Sequence, residues 1–251
     1  AVIAFGPLLP QLGFYWDDWA KILVARLWGL NSYFAYYAGD RPLSSWTHIL
    51  FTPLLGQSPL PWHIFTLLLR WLSGWGMWWS LSNLWPQARR ANLIASALFV
   101  VYPAFVSEPA SVTFHQQWIQ YALFFFSLGC MILASRINLT RPEGARTPRK
   151  VWVLSGLSLA AMLLQLSVTE YFVPLELVRP LVLWFLIGNV AGEQGRPRPN
   201  LRSRIGQTLR IWAPYLAVTA AFTLWRLFFI QLPGADPYQA KTLTALLASP
   251  L

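Results

Sequence analysis

Charge is scarce in this chain. Only 11% of its 251 residues are Asp, Glu, Lys or Arg, against about 25% in an ordinary soluble domain. With 56% of the residues hydrophobic, a water-soluble globule is excluded as the expectation. Cysteine is nearly absent: Cys130 stands alone in an apolar run, so there is no intrachain disulfide and no redox compartment to infer. The three histidines, His48, His63 and His115, are too scattered for metal-ligand spacing, and no zinc site is expected. No repeat of solenoid length occurs, and Gly192 to Arg204 reads as a basic, proline-containing linker rather than a soluble domain. The chain opens on Ala1 with no basic region before its first apolar residues, from which a truncated N-terminus is expected.

What the sequence does have is long apolar runs. Those at 61–85, 90–107, 110–136, 151–169, 171–190 and 211–231 approach or exceed the ~20 residues that cross ~30 Å of hydrocarbon. Residues 1–14 resemble the outer end of a further span, and Leu43 to Leu55, between Pro42 and Pro59, a short interfacial or re-entrant helix. The expected fold is all-α: a polytopic transmembrane helical bundle of about six to eight spans forming a single membrane domain over 1–251. Residues 15–60 would be a first external loop with an amphipathic helix and interfacial helices. An aromatic content of 16% suits the interfacial belts of such a protein.

The net charge of +10 raises the question of nucleic acid, and position answers it. Twelve of the nineteen Lys and Arg lie at 89–90, 136–150 and 196–210, three short connectors between apolar runs. That is a topology signal, and no nucleic-acid partner is expected; the partner is the bilayer. The positive-inside rule puts those connectors in the cytoplasm and 1–60, 107–110, 169–171 and 232–251 on the other side. The acids, which the rule does not use, sort the same way. Asp17, Asp18, Asp40, Glu108, Glu170, Glu176 and Asp236 fall outside or at outer helix ends, and only Glu143 and Glu193 fall inside.

Chemistry is therefore sought on the outer face. Phe14-Tyr15-Trp16-Asp17-Asp18-Trp19 frames two adjacent carboxylates with aromatics; in a partly desolvated pocket such a pair makes a general base near neutral pH. The plainer reading is an N-cap for a helix running through Lys21 to Tyr37. Asp40-Arg41 is either a phosphate-binding turn or a local surface ion pair. Glu108, His115 and Glu170 sit at outer helix ends, as cavity lining or as turn residues in interfacial water. Arg70, Arg179 and Arg226 lie within apolar runs, where a guanidinium must snorkel, pair with an acid or meet an anion. Arg179 has Glu176 three residues before it, and Arg226 lies at the depth of a lipid phosphate. The Trp71, Trp75, Trp78 and Trp79 stripe reads as packing or lipid-facing surface.

In order, Asp17-Asp18, Arg41-Pro42-Leu43, Pro59-Leu60-Pro61-Trp62-His63, Tyr102-Pro103 with Glu108, and Glu170 resemble the GT-C superfamily of integral-membrane glycosyltransferases, which includes protein O-mannosyltransferases. The resemblance implies an inverting hexosyl or pentosyl transfer from a polyprenyl-phosphate sugar to an acceptor hydroxyl on the non-cytoplasmic face, in a bacterial plasma membrane; it does not name the acceptor. It makes Asp17 the catalytic base with Asp18 in support, and Asp40, Arg41, Glu108, His115, Glu170 and Arg226 the substrate-binding set, with Arg41 and Arg226 on phosphate. Some members place a divalent metal at an acid pair. Asp17 and Asp18 are adjacent rather than spaced Asp-X-Asp, and no metal or other cofactor is expected. Members of the superfamily commonly carry more helices, which makes this chain the expected N-terminal part of a longer module. A transporter or flippase, with Glu176, Arg179 and Arg70 as pathway charges, and a non-catalytic membrane assembly subunit are the rival readings.

Overall fold

A computed structural model describes residues 5–102, 110–142, 144–195, 197 and 199–229. The regular secondary structure of the described residues is all helical, with no strand. In chain order the helices are α1 (Asp18–Trp28), α2 (Ser32–Ala38), α3 (Ser45–Leu55), α4 (Pro59–Leu84), α5 (Arg89–Val101), α6 (Ser111–Thr140), α7 (Arg149–Leu166), α8 (Val178–Glu193) and α9 (Leu201–Phe229). Short 3-10 turns cover Gly6–Gln11, Pro86–Ala88 and Glu170–Leu177.

Local chemistry sets several of these boundaries. Pro59 opens α4, where its missing N–H costs nothing and its fixed φ suits the first turn. The helix expected to run from Lys21 to Tyr37 is instead broken in two. Gly29 takes φ +80° and receives the end of α1, its N–H donating to the Ala25 carbonyl, and α2 restarts at Ser32. Ser45–Leu55 is helical within the Leu43 to Leu55 segment expected to form a short helix.

Among the described residues, four helical stretches are long and apolar enough to cross a membrane, as in an integral membrane protein: Ser111–Thr140, Arg149–Leu166, Glu170–Glu193 and Leu201–Phe228. They answer to four of the six spans expected. The run at 61–85 forms the 26-residue α4, whose Ser, Gly and Trp content lowers its hydropathy. The run at 90–107 yields the 13-residue α5, short of a crossing, with residues 103–109 outside those described.

The long α6 is the axis of the bundle, packing along α4 on one side and α7 on another, with α5 against α4 and α8 against α9. Its core joins Phe124, Leu128, Met131 and Ile132 to Met162 and Leu166 of α7, Leu183 and Leu186 of α8 and Tyr215 of α9. Small polar residues stitch the helices together: Ser73 and Ser80 of α4 donate to the Trp118 and Phe125 carbonyls of α6, at 3.1 and 2.8 Å. In hydrocarbon, close approach through small residues and interhelical hydrogen bonds replaces the hydrophobic drive. Gly129 marks the closest approach. A Cβ there would lie 2.2 Å from the Trp79 ring and 3.0 Å from Ser80 Oγ. Gly129→Ala is therefore expected to destabilise by about 1–3 kcal/mol, whereas Gly156→Ala in α7, with nothing within 4 Å of the new methyl, should leave the melting temperature equal or higher. Thermal melts of both variants in lipid nanodiscs check this; equal melts would contradict the close packing.

Connectors assigned to one side meet each other. Asp18 reaches Thr113 at the start of α6, and Arg41 reaches Glu170 and Tyr171. At the opposite end, Arg136 pairs with Glu193, which also accepts from Gln87 at 3.3 Å.

Candidate functional site

The site begins with a backbone constraint. Trp16 takes φ +52°, a left-handed conformation uncommon for a bulky residue, and the Asp18 N–H donates to the Tyr15 carbonyl at 3.0 Å. This tight turn delivers two adjacent carboxylates to opposite environments. Asp17 occupies the N-cap position of α1, yet its side chain makes no capping bond. It stays 59% exposed, with Oδ2 3.9 Å from Lys21 Nζ. Asp18 is fully buried; its Oδ1 accepts from the Thr113 N–H at 2.7 Å and from the Thr113 hydroxyl at 2.8 Å. Burial raises the Asp18 pKa and the hydrogen bonds from Thr113 pull it back.

Lys21, one turn along α1, has its ammonium under the surface, where it donates to Thr113 Oγ1 at 3.1 Å. Burial lowers its pKa, and the charges of Asp17 and Asp18 oppose that shift. Behind it lies a packed polar layer. The Tyr33 hydroxyl donates to the Lys21 carbonyl at 2.9 Å, and the Tyr37 hydroxyl lies 2.8 Å from His48 Nε2. The His48 ring stacks on Tyr33 and meets His115 edge-on, with centroids 4.8 and 4.9 Å apart. Burial, helped by His115 and Lys21, holds the His48 pKa well below its ordinary value. His115, expected to line a cavity, is fully buried among His48, Trp62, Phe51 and Phe65, with Nδ1 2.8 Å from the Val112 carbonyl. It joins the layer behind the acid pair rather than the arginines.

The second half of the site is a crevice where three distant segments meet. Arg41 follows α2, Glu170 opens the 3-10 turn after α7, and Arg226 lies in the last turn of α9. Arg41 Nε stands 3.5 Å from Asp40 and 3.8 Å from Glu170; Arg226 Nη2 stands 3.9 and 3.5 Å from the same two acids. Arg41 also donates to the Tyr171 hydroxyl at 2.7 Å. These pairs are loose and partly exposed, the arginine side chains at 22% and 19%. Pro42, Leu43, Phe222 and Trp225 form the apolar walls of the crevice, whose free volume is about 20 Å³, the room of one water. Beside it, Tyr171, Phe172, Leu175 and Val178 with Tyr121 of α6 line an open groove of about 340 Å³.

No known protein family, curated protein or solved structure matches this chain. Of the expected residues, the fold gathers Asp40, Arg41, Glu170 and Arg226 in one crevice and holds Asp17 and Asp18 at one turn, while Glu108 lies outside the described residues. Helix α2 links the crevice to α1: the Arg41 N–H donates to the Tyr37 carbonyl at 2.8 Å, and the Tyr33 hydroxyl donates to the Lys21 carbonyl at 2.9 Å. Among the described residues no three His, Cys, Asp or Glu side chains gather closely enough to hold a metal ion.

The charges within apolar runs are engaged in packing. Arg179 and Glu176 form a fully buried ion pair, with Arg179 Nη2 also donating to Ser127 at 3.0 Å and its guanidinium 4.8 Å from the Tyr215 ring centre. Arg70 donates to the Val100 carbonyl and lies over the Phe5 and Trp118 rings. Lys21, Thr113, Tyr171 and the His48–Tyr37 pair were not singled out from sequence. The Lys21 position carried a signal, four residues after Asp17 on one helix face; the others become neighbours only through tertiary contact.

Proposed function

We propose that this protein is a membrane glycosyltransferase that moves a sugar from a polyprenyl-phosphate donor to an acceptor hydroxyl, with inversion, at the non-cytoplasmic face of a bacterial plasma membrane. The observation that carries the reading is the meeting of Arg41 and Arg226 over Glu170 and Asp40, in a protein that also presents an exposed carboxylate, Asp17, at the start of α1. Two guanidiniums loosely held by carboxylates at 3.5 to 3.9 Å are able to exchange them for a phosphate, which accepts charge-assisted hydrogen bonds in a fork. The aromatic groove next to Tyr171 offers an apolar neighbour for a lipid carrier.

In the proposed reaction the acceptor hydroxyl gives its proton to the Asp17 carboxylate. Its oxygen bonds the anomeric carbon from the face opposite the leaving group. The anomeric carbon–oxygen bond to phosphate breaks, its electron pair leaving on the phosphate, where Arg41 and Arg226 stabilise the developing charge. Asp18, buried and fixed by Thr113, holds the turn.

The test is transfer from a panel of polyprenyl-phosphate sugars by the protein in nanodiscs, comparing wild type with Arg226→Gln. The variant loses only partly exposed pairs worth about 0–1 kcal/mol, so its melt should match wild type. Its KM for the donor should rise roughly tenfold to a hundredfold, the worth of hydrogen bonds to a charged group. An unchanged KM would remove Arg226 from the donor site.

A further inference from the structure

We propose that Lys21 is the positioning residue of this site, its ammonium held between Thr113 from within and the Asp17 carboxylate at the mouth. The inference rests on the glycosyltransferase reading and adds a residue to it. Lys21 Nζ donates to Thr113 Oγ1 at 3.1 Å, and that same hydroxyl donates to Asp18 Oδ1 at 2.8 Å. One threonine on α6 thus takes the ammonium and gives to the buried acid. The other neighbour of Nζ is Asp17 Oδ2, 3.9 Å away and exposed. A lysine almost wholly under the surface is costly to retain unless its charge is used. Here it balances two carboxylates that would otherwise repel across adjacent residues.

The geometry gives Lys21 a defined part in transfer. Asp17 must be aimed at the acceptor hydroxyl to take its proton, and the ammonium one helical turn away, 3.9 Å from Oδ2, fixes that aim. Lys21 keeps its three protons throughout; the proton leaving the acceptor ends on Asp17. The titratable and charged groups around it are Asp17 and Asp18 on α1, Tyr33 and Tyr36 on α2, Arg41 after α2, His48 on α3 and His115 on α6.

The experiment measures kcat and donor KM of sugar transfer from polyprenyl-phosphate donors for wild type, Lys21→Met, Lys21→Arg and Thr113→Val in nanodiscs, with a thermal melt of each. Lys21→Met should lower kcat by about tenfold or more and leave donor KM within about twofold, the split expected of a residue that positions the base rather than binds the donor. Lys21→Arg should recover most of the rate. Thr113→Val, which removes the hydroxyl that holds Lys21 and donates to Asp18 but removes no buried charge, should lower kcat in the same direction, and a wild-type kcat in it counts against the proposal even if Lys21→Met does not fold. Wild-type kcat in both Lys21→Met and Thr113→Val would overturn the role of Lys21 alone. A wild-type protein inert with every donor would overturn the glycosyltransferase reading, and the role of Lys21 with it.

Discussion

Asp17→Asn is expected to abolish sugar transfer while leaving the fold intact. The carboxylate is 59% exposed and makes only a 3.9 Å pair with Lys21, a contact worth about 0–1 kcal/mol at a surface. It makes no capping bond to α1, so the helix start does not depend on its charge. Its amide counterpart keeps the shape but accepts no proton, and loss of a general base costs on the order of 10²–10⁴ in rate. The measurement is kcat alongside a thermal melt. Unchanged transfer would remove Asp17 from the reaction, and the same loss of melt and activity together would make it structural. Asp18→Asn is the instructive partner: Oδ1 receives both Thr113 bonds, which an amide oxygen also accepts, and Oδ2 is the atom that changes.

The largest effect on stability is expected at Arg179. Its guanidinium and the Glu176 carboxylate are fully buried against each other, with Ser127 satisfying a third donor and the Tyr215 and Phe124 rings packed on the cation. Arg179→Met leaves the Glu176 charge without its partner in an apolar surround, at a cost of about 3–5 kcal/mol. Adding Glu176→Gln to Arg179→Met should return most of that loss, because the orphaned charge is gone. Unfolding in graded denaturing detergent, read for wild type, single and double variants, checks the cycle. A single variant as stable as wild type would mean that the pair is not buried in the folded protein. Full loss in the single variant with recovery in the double one would also count against a pathway role, which needs the two charges to separate.

The two ends of the molecule were legible because charge sorts before folding. Acids at 17, 18, 40 and 170 and arginines at 136 and 196–210 fall in alternate connectors, and the fold joins each set to its own kind through Asp18–Thr113, Arg41–Glu170 and Arg136–Glu193. The Glu176–Arg179 pair was legible for a different reason, its spacing of three on one face. Span boundaries were less so. Hydropathy alone does not separate a 26-residue helix rich in Trp, Ser and Gly from a lipid-facing span, nor find the break at Gly29 inside an apolar stretch.

Within the site, residue types were readable and partnerships were not. Arg41 looked equally like a local turn pair and a phosphate ligand; it is 3.5 Å from its neighbour Asp40 and also joins Glu170 and Tyr171 from beyond α7. His115 looked like cavity lining because it begins an outer helix end. It is buried instead, since α3 lays His48 across it and Trp62 closes the other side. Asp17 and Asp18 differ in exposure because Trp16 turns the backbone between them and the aromatic run, a conformation that no alternation of polar and apolar residues encodes.

The most direct measurement is sugar transfer by the wild-type protein in proteoliposomes of known orientation, with polyprenyl-phosphate sugars incorporated and the acceptor supplied to one face at a time. Transfer with the acceptor on the face that carries Asp17 and Arg226, and none with it on the face that carries the 136–150 connector, is the expected result. Folded protein that transfers from no donor to either face, or that uses acceptor on the 136–150 face, would contradict it.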